Sequence, residues 1–340
     1  MDTERITLGM GGGGTLSAEL IEEVFLAGYG NEALNRLDDA AEVSLDGVRL
    51  AFTTDSYTVK PVFFPGGDIG RLAVCGTSND LSVKGARPRA ISAAFIIEEG
   101  FLLVDLKRIV RSMRDTAAEA GVGIVTGDTK VVRKGEADGI FITTSGVGAI
   151  IPGMEISCAA ARPGDAIIVT GTVGDHGAAI MNAREVLGFT PELVSDVAPV
   201  RDIVEALASR ASALHAMRDP TRGGLASALN EIARASGVSV RVFEDRVPVA
   251  PGVRACCEIL GLDPLYMACE GRVVIFAAPD SAEEVLRLVR STPGGKDAAA
   301  IGEVTGPRRE PNIPPVVVET GIGTSRFLPL LEGDPVPRIC

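Results

Sequence analysis

The stretch Gly121-Val-Gly-Ile-Val-Thr-Gly-Asp-Thr-Lys130 separates a helical pattern from a second apolar run, and it decides the fold class. Before it, apolar residues recur at helical spacing over 104–120, where Asp105 is the predicted cap. Residues 122–126 and 138–149 predict a pair of strands joined through the glycine, aspartate, threonine and lysine that end the stretch. This half of the chain therefore mixes helix and strand.

Further elements are predicted on both sides of this stretch. Toward the N-terminus, the patterns predict a helix over 17–27 capped by Ser17 and strands over 48–54 and 89–97. Toward the C-terminus they predict an apolar run over 165–171, helices over 175–187 and 222–236, a strand over 238–243, and a helix from a Ser281–Glu284 capping box to about 291. Long helices among strands that do not simply alternate favour an α+β fold built as two α/β domains.

The domain boundaries are predicted from punctuation in the sequence. Pro163-Gly164 interrupts the patterns and predicts a boundary just before it. We expect one domain over 1–155, a second over 156–328, and a tail over 329–340. Helix is forbidden in this tail by three residues, Gly333, Pro335 and Pro337.

Composition limits the possible functions. The 340 residues carry a net charge of −12, which argues against nucleic acid as a partner because such binding needs a basic face. No apolar stretch approaches the roughly 20 residues that cross a bilayer, and the first residues lack a signal-peptide pattern. We therefore expect a cytoplasmic protein with no membrane partner. Its cysteines should be free thiols, five of them in or near the core: Cys75, Cys158, Cys256, Cys257 and Cys269.

Three acidic residues stand among small hydroxyl and amide side chains in the first half: Asp55 in Thr-Thr-Asp-Ser, Asp80 after Thr77-Ser-Asn, and Asp128 before Thr-Lys. Hard oxygen ligands of this kind suit Mg²⁺, which would neutralise a triphosphate. Lys130 adds a compact positive charge for phosphate oxygens. Each aspartate alone is as typical of a turn or a cap, but three similar settings in one domain predict a metal-nucleotide site.

In the second half, two segments offer further chemistry. The first segment, His215-Ala-Met-Arg-Asp219-Pro-Thr-Arg222-Gly-Gly, leads into a predicted helix. Its two glycines would let a ligand approach the backbone closely, and Asp219 and Arg222 offer charge. The alternative is a strand-helix turn with a solvated ion pair. Glu270 lies between two apolar segments, so burial should raise its pKa and suit it to act as a base, although an edge turn fits nearly as well. His176 is interpreted as structural.

The glycine run 11–14 precedes the first helix and could expose amides to a phosphate, although alone it reads as a flexible turn. Cys340 ends the proline-containing tail. About eight extended residues at ~3.1 Å each span roughly 25 Å, so this thiol could travel between sites. An incidental terminal cysteine is the alternative.

Together these segments resemble the HypE family of hydrogenase maturation factors, within the superfamily of aminoimidazole ribonucleotide synthetase and selenophosphate synthetase. The resemblance covers almost the whole chain. It rests on Thr-Thr-Asp-Ser at 53–56, Ser-Asn-Asp-Leu at 78–81, Gly-Asp-Thr-Lys-Val-Val at 127–132, Arg-Asp-Pro-Thr-Arg-Gly-Gly at 218–224, and the terminal Pro-Arg-Ile-Cys. The terminal motif discriminates, because the purine and selenium relatives do not end this way. Residues 10–14 depart from the family's Gly-x-Gly-Gly pattern.

The resemblance implies an aminoimidazole ribonucleotide synthetase-like fold, ATP held mainly by the first domain, and a homodimer formed through that domain. It also implies that a partner, HypF, carbamoylates Cys340, that ATP drives dehydration of this group to a thiocyanate, and that the cyano group passes to iron on HypC–HypD. The predicted catalytic residues are Cys340, Lys130, and Glu270 or His215 as base. The predicted ligands of Mg²⁺ are Asp55, Asp80 and Asp128, and those of ATP are Gly12, Gly13, Asp55, Asn79, Asp80, Asp128, Lys130, Asp219 and Arg222.

Two other functions remain open from the sequence. The first is an ATP-dependent synthetase or kinase that acts on a free small molecule, whose activity would survive loss of Cys340. The second is a nucleotide-binding scaffold without turnover.

Overall fold

The computed structural model describes residues 5–185, 188–189, 192–310, 312–333 and 338–340. Two large sheets carry the architecture, and there is also a two-stranded ribbon. The strands are β1 (Ala41–Leu45), β2 (Val48–Tyr57), β3 (Phe63–Phe64), β4 (Gly67–Asp68), β5 (Ala86–Glu98), β6 (Gly123–Val132), β7 (Ile140–Ile150), β8 (Ala166–Val169), β9 (Leu214–Arg218), β10 (Val238–Phe243), β11 (Val274–Ala277), β12 (Ala299–Pro307), β13 (Val316–Glu319) and β14 (Ser325–Phe327).

Two helices precede β1 and the others fall between strands, with two long helices in the first half of the chain. They are α1 (Thr15–Leu20), α2 (Ala27–Tyr29), α3 (Ile69–Val83), α4 (Leu103–Ala120), α5 (Asp175–Glu185), α6 (Arg201–Leu207), α7 (Gly224–Ala235), α8 (Pro251–Leu260) and α9 (Ala282–Arg290). A π-helical segment, Ile21–Leu26, joins α1 to α2. In the part of the chain that the structure describes, no helix has both the length and the apolar character needed to span a membrane.

The first sheet has the order β1-β2-β7-β5-β6 and is antiparallel except for the β5–β6 pair. Helices α3 and α4 pack against each other beside this sheet, and buried Leu72, Ile109 and Ile142 belong to the core they form. The carboxylate of Asp68 caps α3 by accepting hydrogen bonds from the amides of Gly70 (2.7 Å) and Arg71 (3.1 Å). This capped helix points its later turns at β2.

The second sheet is mixed and has the order β14-β13-β10-β12-β8-β11-β9. Its central strands are buried on both faces: Ile167 and Phe276 belong to a core with α7, whereas Ile168 and Ile275 belong to a core with α6 and α9. This alternation follows from the two-residue period of a strand. The α+β fold class is confirmed.

Most predicted elements are confirmed with small shifts in their bounds. Strands β2, β5 and β10 and helices α4, α7 and α9 lie where the patterns place them, and the first helix is continuous through its π-helical middle. The last two residues of the helix predicted over 175–187 lie outside the described residues. The first sheet uses residues 41–150 and the second 166–327. The division into domains at 155 and 328 stays a prediction.

The predicted strand pair around Asp128 is wrong. Residues 127–130 do not connect two strands but lie within β6, and β5 separates β6 from β7 in the sheet. Glycine and aspartate are typical of turns, yet Gly127 is needed inside the strand because a Cβ there would lie 2.2 Å from the carbonyl oxygen of Ala93.

Two of the three predicted helix caps are wrong, and the third, Ser281, is the N-cap residue of α9 but lacks the predicted side-chain bond. Gly14 caps the first helix, and the hydroxyl of Ser17 inside that helix donates to the carbonyl of Met10 instead (2.9 Å). Asp105 lies within the first turn of α4, after the N-cap Leu102. Helix α3 was not predicted, because its buried Gly, Thr, Ser and Asn residues obscure the apolar period.

Candidate active site

A polar pocket of about 240 Å³ lies between the two sheets, where β2 and α3 face the segments after β9 and before β11. The first half of the chain contributes residues from three segments, and the second half contributes its own charged residues and the C-terminus. The charged or reactive lining residues are Asp39, Asp55, Asp80, Arg218, Asp219, Arg222, Glu270 and Cys340. The fold therefore assembles sequence-distant groups at one place.

Three carboxylates form a cluster in this pocket. Oxygens of Asp39, Asp80 and Asp219 all lie within 4.8 Å of one another. The hydroxyl of Thr53 on β2 donates to Asp80 (2.8 Å) and also lies 2.9 Å from the backbone oxygen of Asp39, so it ties two members together. The guanidinium of Arg218 lies 3.2 Å from Asp39. This geometry matches the oxygen ligands that a divalent cation needs.

The electrostatics of the cluster point the same way. Burial raises the pKa of Asp39 and of Asp80, and the charge of neighbouring Asp55 raises that of Asp80 further. Burial also raises the pKa of Asp219 to about 7, against the lowering effect of Arg218. Carboxylates that resist ionisation because they are buried, and because they repel one another, are stabilised by a cation placed between them.

Glu270 is buried at the edge of the same pocket. Its side chain is 2% exposed, and the oxygen Oε1 has no hydrogen-bond partner among the described residues. Burial, followed by the charge of Asp219, raises its pKa well above the ordinary value. The loop that carries it is fixed because Asp196 accepts hydrogen bonds from the amides of Glu270 (3.1 Å) and Gly271 (3.2 Å). The predicted burial and raised pKa of Glu270 are confirmed.

The C-terminus docks against this pocket. The backbone oxygen of Cys340 accepts a hydrogen bond from the amide of Thr58, directly after β2, at 3.1 Å, and Cys340 lines the pocket. The other five thiols are buried, as predicted, whereas Cys340 is half-buried. The structure thus brings the predicted reactive thiol together with the carboxylates of Asp55, Asp80 and Glu270.

The glycine run lies next to the second half of the chain and to the start of the tail. Arg222 donates to the carbonyl of Gly11 (2.7 Å), and the amide of Thr15 donates to the carbonyl of Leu331 (2.8 Å). A Cβ at Gly14 would lie 2.1 Å from that same oxygen, so only glycine fits. Gly12 and Gly13 belong to this loop, which touches both Arg222 and the tail.

Asn79 lies in the first half of the chain but bridges to the second. Its amide nitrogen donates to the carbonyls of Ala198 (3.0 Å) and Glu270 (3.2 Å), and its side-chain oxygen accepts from the amide of Val200 (2.9 Å). Because these contacts use its donors and its acceptor, Asn79 positions the Glu270 loop in this structure.

Three predicted site residues lie outside the pocket. Asp128 and Lys130 lie on the exposed edge strand β6, paired at 2.6 Å, and three strand spacings separate Asp128 from β2, or about 14 Å. His215 on β9 bonds the buried carboxylate of Asp165 through Nδ1 at 2.8 Å and does not line the pocket.

Sequence reasoning missed Asp39 and Arg218. Asp39 lies in Leu37-Asp-Asp-Ala-Ala, just before β1, where adjacent aspartates resemble a polar turn. The two carboxylates divide their roles: Asp38 forms a buried ion pair with Lys84 (2.6 Å), and Asp39 enters the cluster. Only the tertiary fold distinguishes them.

Comparison with known proteins assigns both halves of the chain to one family. The N-terminal domain of the AIR synthase related protein family matches residues 37–150, and the C-terminal domain of that family matches 162–311. A relative from Cupriavidus necator, named carbamoyl dehydratase HypE, is 49% identical over 337 residues, which cover 99% of this chain and 95% of the relative. The chain belongs to the HypE family.

Two solved HypE structures share this fold. The HypE of a HypE–HypF complex is 49% identical and superposes with a TM-score of 0.87, covering 92% of this chain and 99% of that one. A HypE in complex with ATP is 47% identical, with a TM-score of 0.82 over 98% of this chain and 100% of that one. HypE proteins are enzymes of the carbamoyl dehydratase class, and the predicted family and fold are confirmed.

Proposed function

We propose that this chain uses ATP to dehydrate an S-carbamoyl group on its own Cys340 to a thiocyanate, as a supplier of cyanide ligands for the iron of NiFe hydrogenase. The observation that carries this proposal is the docking of Cys340 in the pocket that holds the carboxylate cluster and Glu270. The name of the Cupriavidus relative and the ATP complex of another relative support it.

The reaction balances with ATP as the only co-substrate. The carbamoyl oxygen attacks the γ-phosphorus, ADP leaves, and the nitrogen loses one proton to give an O-phosphorylated imidate on sulfur. A base then removes the second N–H proton, the C–O bond breaks, and phosphate leaves as the carbon–nitrogen triple bond forms. Phosphorylation is required because an amide oxygen is otherwise a poor leaving group. Electrostatic stabilisation of the transferring phosphoryl group is the enzyme's main contribution.

Mg²⁺ fits the carboxylate cluster. Asp39, Asp80 and Asp219 would hold it, with Asp55 beside them, because their oxygens converge and their pKa values are raised by burial and mutual repulsion. When bound, the ion supplies charge neutralisation for the triphosphate. Of the ligands expected from sequence, Asp55 and Asp80 lie in this pocket.

Glu270 is the better candidate for the base. Its raised pKa makes the ionised carboxylate a stronger proton acceptor, and its free Oε1 lies at the pocket that Cys340 enters. His215 would have to leave Asp165 and move along the length of β9 to reach the same place.

Lys130 and Asp128 would join the site through a homodimer. Nine of the ten residues of β6 are exposed, and this edge strand presents apolar Ile124, Val125 and Val131 to solvent. An unpaired apolar edge of this kind is a template for pairing with a second copy. We propose that dimerisation through the first sheet covers β6 and brings Lys130 of one chain toward the phosphates held by the other.

The partners follow from the same reaction. A HypE relative is solved in complex with HypF, and we propose that HypF loads the carbamoyl group on Cys340 of this chain. The product would pass to iron on a HypC–HypD complex. We propose a cytoplasmic location for this exchange.

Cys340→Ser tests the function. The wild-type chain, incubated with HypF and its substrates, should gain the mass of one carbamoyl group on Cys340 and lose the mass of one water when ATP is added. Cys340→Ser should bind ATP and show neither mass change. Cys75→Ser is the matched control, because that thiol is buried, and it should behave as wild type.

Two results would contradict the proposal. Carbamoylation mapped to one of the five buried cysteines would remove Cys340 from its role. Full ATP turnover with a free small molecule by Cys340→Ser would instead favour a synthetase or kinase.

A further inference from the structure

The last three residues are held by side chains that the chemistry above does not use. Helix α5 presents His176 and Arg184, two turns apart on one face, to successive carbonyls of the tail. The Nε2 atom of His176 lies 2.7 Å from the carbonyl oxygen of Ile339, and Nη2 of Arg184 lies 2.5 Å from that of Arg338. These two contacts fix the backbone that leads directly to Cys340.

The hydrogen-bond directions around His176 are determined by its neighbours. The carbonyl of Ile339 can only accept, so Nε2 carries the proton and donates. The other ring nitrogen, Nδ1, lies 2.8 Å from the hydroxyl of Ser195 and must therefore accept from it. Ser195 in turn accepts from the amide of Val197 (3.1 Å). One tautomer of the ring satisfies all of these contacts.

His176 is rigidly placed and uncharged. Its side chain is fully buried, and the ring of Phe64 packs edge-on against it with centroids 5.4 Å apart. Burial lowers the pKa of His176 to about 4, so the ring is neutral at physiological pH. A fully buried polar side chain aimed at a backbone oxygen is a specific contact, because leaving either group unsatisfied is costly.

We propose that His176, oriented by Ser195, is a positioning residue that holds Ile339 so that the sulfur of Cys340 stays in the carboxylate pocket during dehydration. His176 is not among the residues that line the pocket, and its bond to the tail is to the backbone oxygen of the residue before the cysteine. The role in dehydration rests on the proposed function. The placement of the thiol does not.

Iodoacetamide alkylation of Cys340 tests the placement without ATP, HypF or turnover. His176→Leu keeps the bulk but cannot donate, so the tail should leave the pocket more often and alkylation of Cys340 should quicken by about tenfold, the loss typical of one buried hydrogen bond and its unsatisfied partner. His176→Gln keeps an N–H donor at a similar reach and should restore most of the protection. The five buried thiols should stay unmodified in each variant.

Ile232→Val is the matched control, since Ile232 is fully buried in the core around α7, whereas Ile339 belongs to the core of the first sheet. It should lower the Tm without changing the alkylation of Cys340. If His176→Leu does not fold, Ser195→Ala gives a milder test, because the ring then loses the donor that fixes its tautomer. An increase of a few fold is expected. Unchanged alkylation in folded His176→Leu or, failing that, in Ser195→Ala would overturn the proposal.

A second readout separates positioning from general damage. With carbamoylated protein, His176→Leu should slow thiocyanate formation by about tenfold while the KM for ATP stays unchanged, and His176→Gln should recover the rate. An equal rise in KM for ATP would contradict positioning. If wild-type protein forms no thiocyanate, the proposed function fails, while the alkylation comparison still decides where His176 places the thiol.

Discussion

The carboxylate pocket and the edge strand β6 contain the same kind of sequence in opposite environments. In both, an aspartate stands among small polar residues, in Thr-Ser-Asn-Asp at 77–80 and in Gly-Asp-Thr-Lys at 127–130. Burial raises the pKa of Asp80 in the pocket, whereas the ammonium of Lys130 lowers the pKa of exposed Asp128 on the strand. The pocket therefore has more negative than positive charge, whereas Asp128 on β6 is already paired with Lys130.

This difference shows that a motif indicates which ligand atoms are present but not how strongly those atoms bind a cation. Asp39, Asp80 and Asp219 repel one another in a site with little solvent, so a cation there gains from all three at once. The Asp128–Lys130 pair is solvent-exposed, and such pairs contribute little by themselves. We therefore expect the two regions to respond differently to the same substitution.

The largest expected difference is in ATP hydrolysis by Asp80→Asn and Asp128→Asn. Asp80→Asn removes a charge from the convergent cluster and should lower turnover by about 100-fold or more. Asp128→Asn should lower it by about tenfold, because Asp128 is outside the pocket of its own chain. Steady-state ADP release measured on both variants, with circular dichroism to confirm folding, checks this.

Either of two outcomes would contradict the predicted difference between Asp80→Asn and Asp128→Asn. Normal turnover by Asp80→Asn would remove Asp80 from the metal site. An equally complete loss in Asp128→Asn would mean that dimerisation makes the two regions one site, and turnover would then fall on dilution below the dimer's dissociation constant.

A smaller contrast is expected between Glu270→Gln and Lys130→Ala. Glu270→Gln should keep the affinity for ATP and lose thiocyanate formation by about 100-fold, since general-base catalysis contributes on this order. Lys130→Ala should weaken ATP binding and turnover together by about tenfold. Nucleotide titration and single-turnover mass analysis separate the two effects.

The pH dependence sharpens the role of Glu270. Because burial raises the pKa of Glu270, the ionised base becomes available only as pH rises, so the wild-type dehydration rate should increase with pH above the ordinary carboxyl range. The residual rate of Glu270→Gln should lose that dependence. Equal loss of ATP affinity in Glu270→Gln and Lys130→Ala would contradict separate roles.

Much of the fold could be predicted from sequence because its signals are local. Strand β10 has its predicted bounds and α4 differs by one residue, since alternating and helical apolar patterns are strong there. Helix α3 was missed because its buried face uses Thr77, Ser78 and Asn79, which give no apolar helical period. Those residues are small because β2, β7 and the second half of the chain pack closely around them.

The candidate site was predicted in part for the same reason. Asp80, Asp219, Glu270 and Cys340 carry motif signals and do meet in one pocket. The third carboxylate of the cluster, Asp39, has no such signal, because its neighbour Asp38 has the same side chain and instead forms an ion pair with Lys84. Which aspartate faces the pocket depends on the path of the chain into β1, and spacing alone does not encode it.

The smallest expected contrast is in stability against pH. In the pocket, the carboxyl pKa values of the folded chain are raised. The native chain therefore binds more protons than the unfolded chain at pH values above 3.8, the ordinary pKa of an aspartate. For Asp219 this pH window extends to about 7. Stability should therefore fall as pH rises through that window, lowering the Tm by about 3 °C between pH 5.5 and 8. The lowered pKa of Asp128 gives the opposite sign, with its contribution lost only as pH falls below 3.8.

Thermal melts in EDTA-containing buffers test this sign directly. Asp80→Asn removes one of the groups that bind a proton on folding, so it should melt higher than wild type at pH 8 and show a flatter pH dependence, even though it loses activity. Asp128→Asn should follow the wild-type curve from pH 5.5 to 8, because its window lies at lower pH. Mg²⁺ binds the ionised carboxylates of the native state and should restore the wild-type Tm at pH 8, but not raise that of Asp80→Asn to the same degree. A wild-type Tm that rises with pH in EDTA would contradict this prediction. It would show that protein charges such as Arg218 already neutralise the buried carboxylates, and that the pocket does not need a cation.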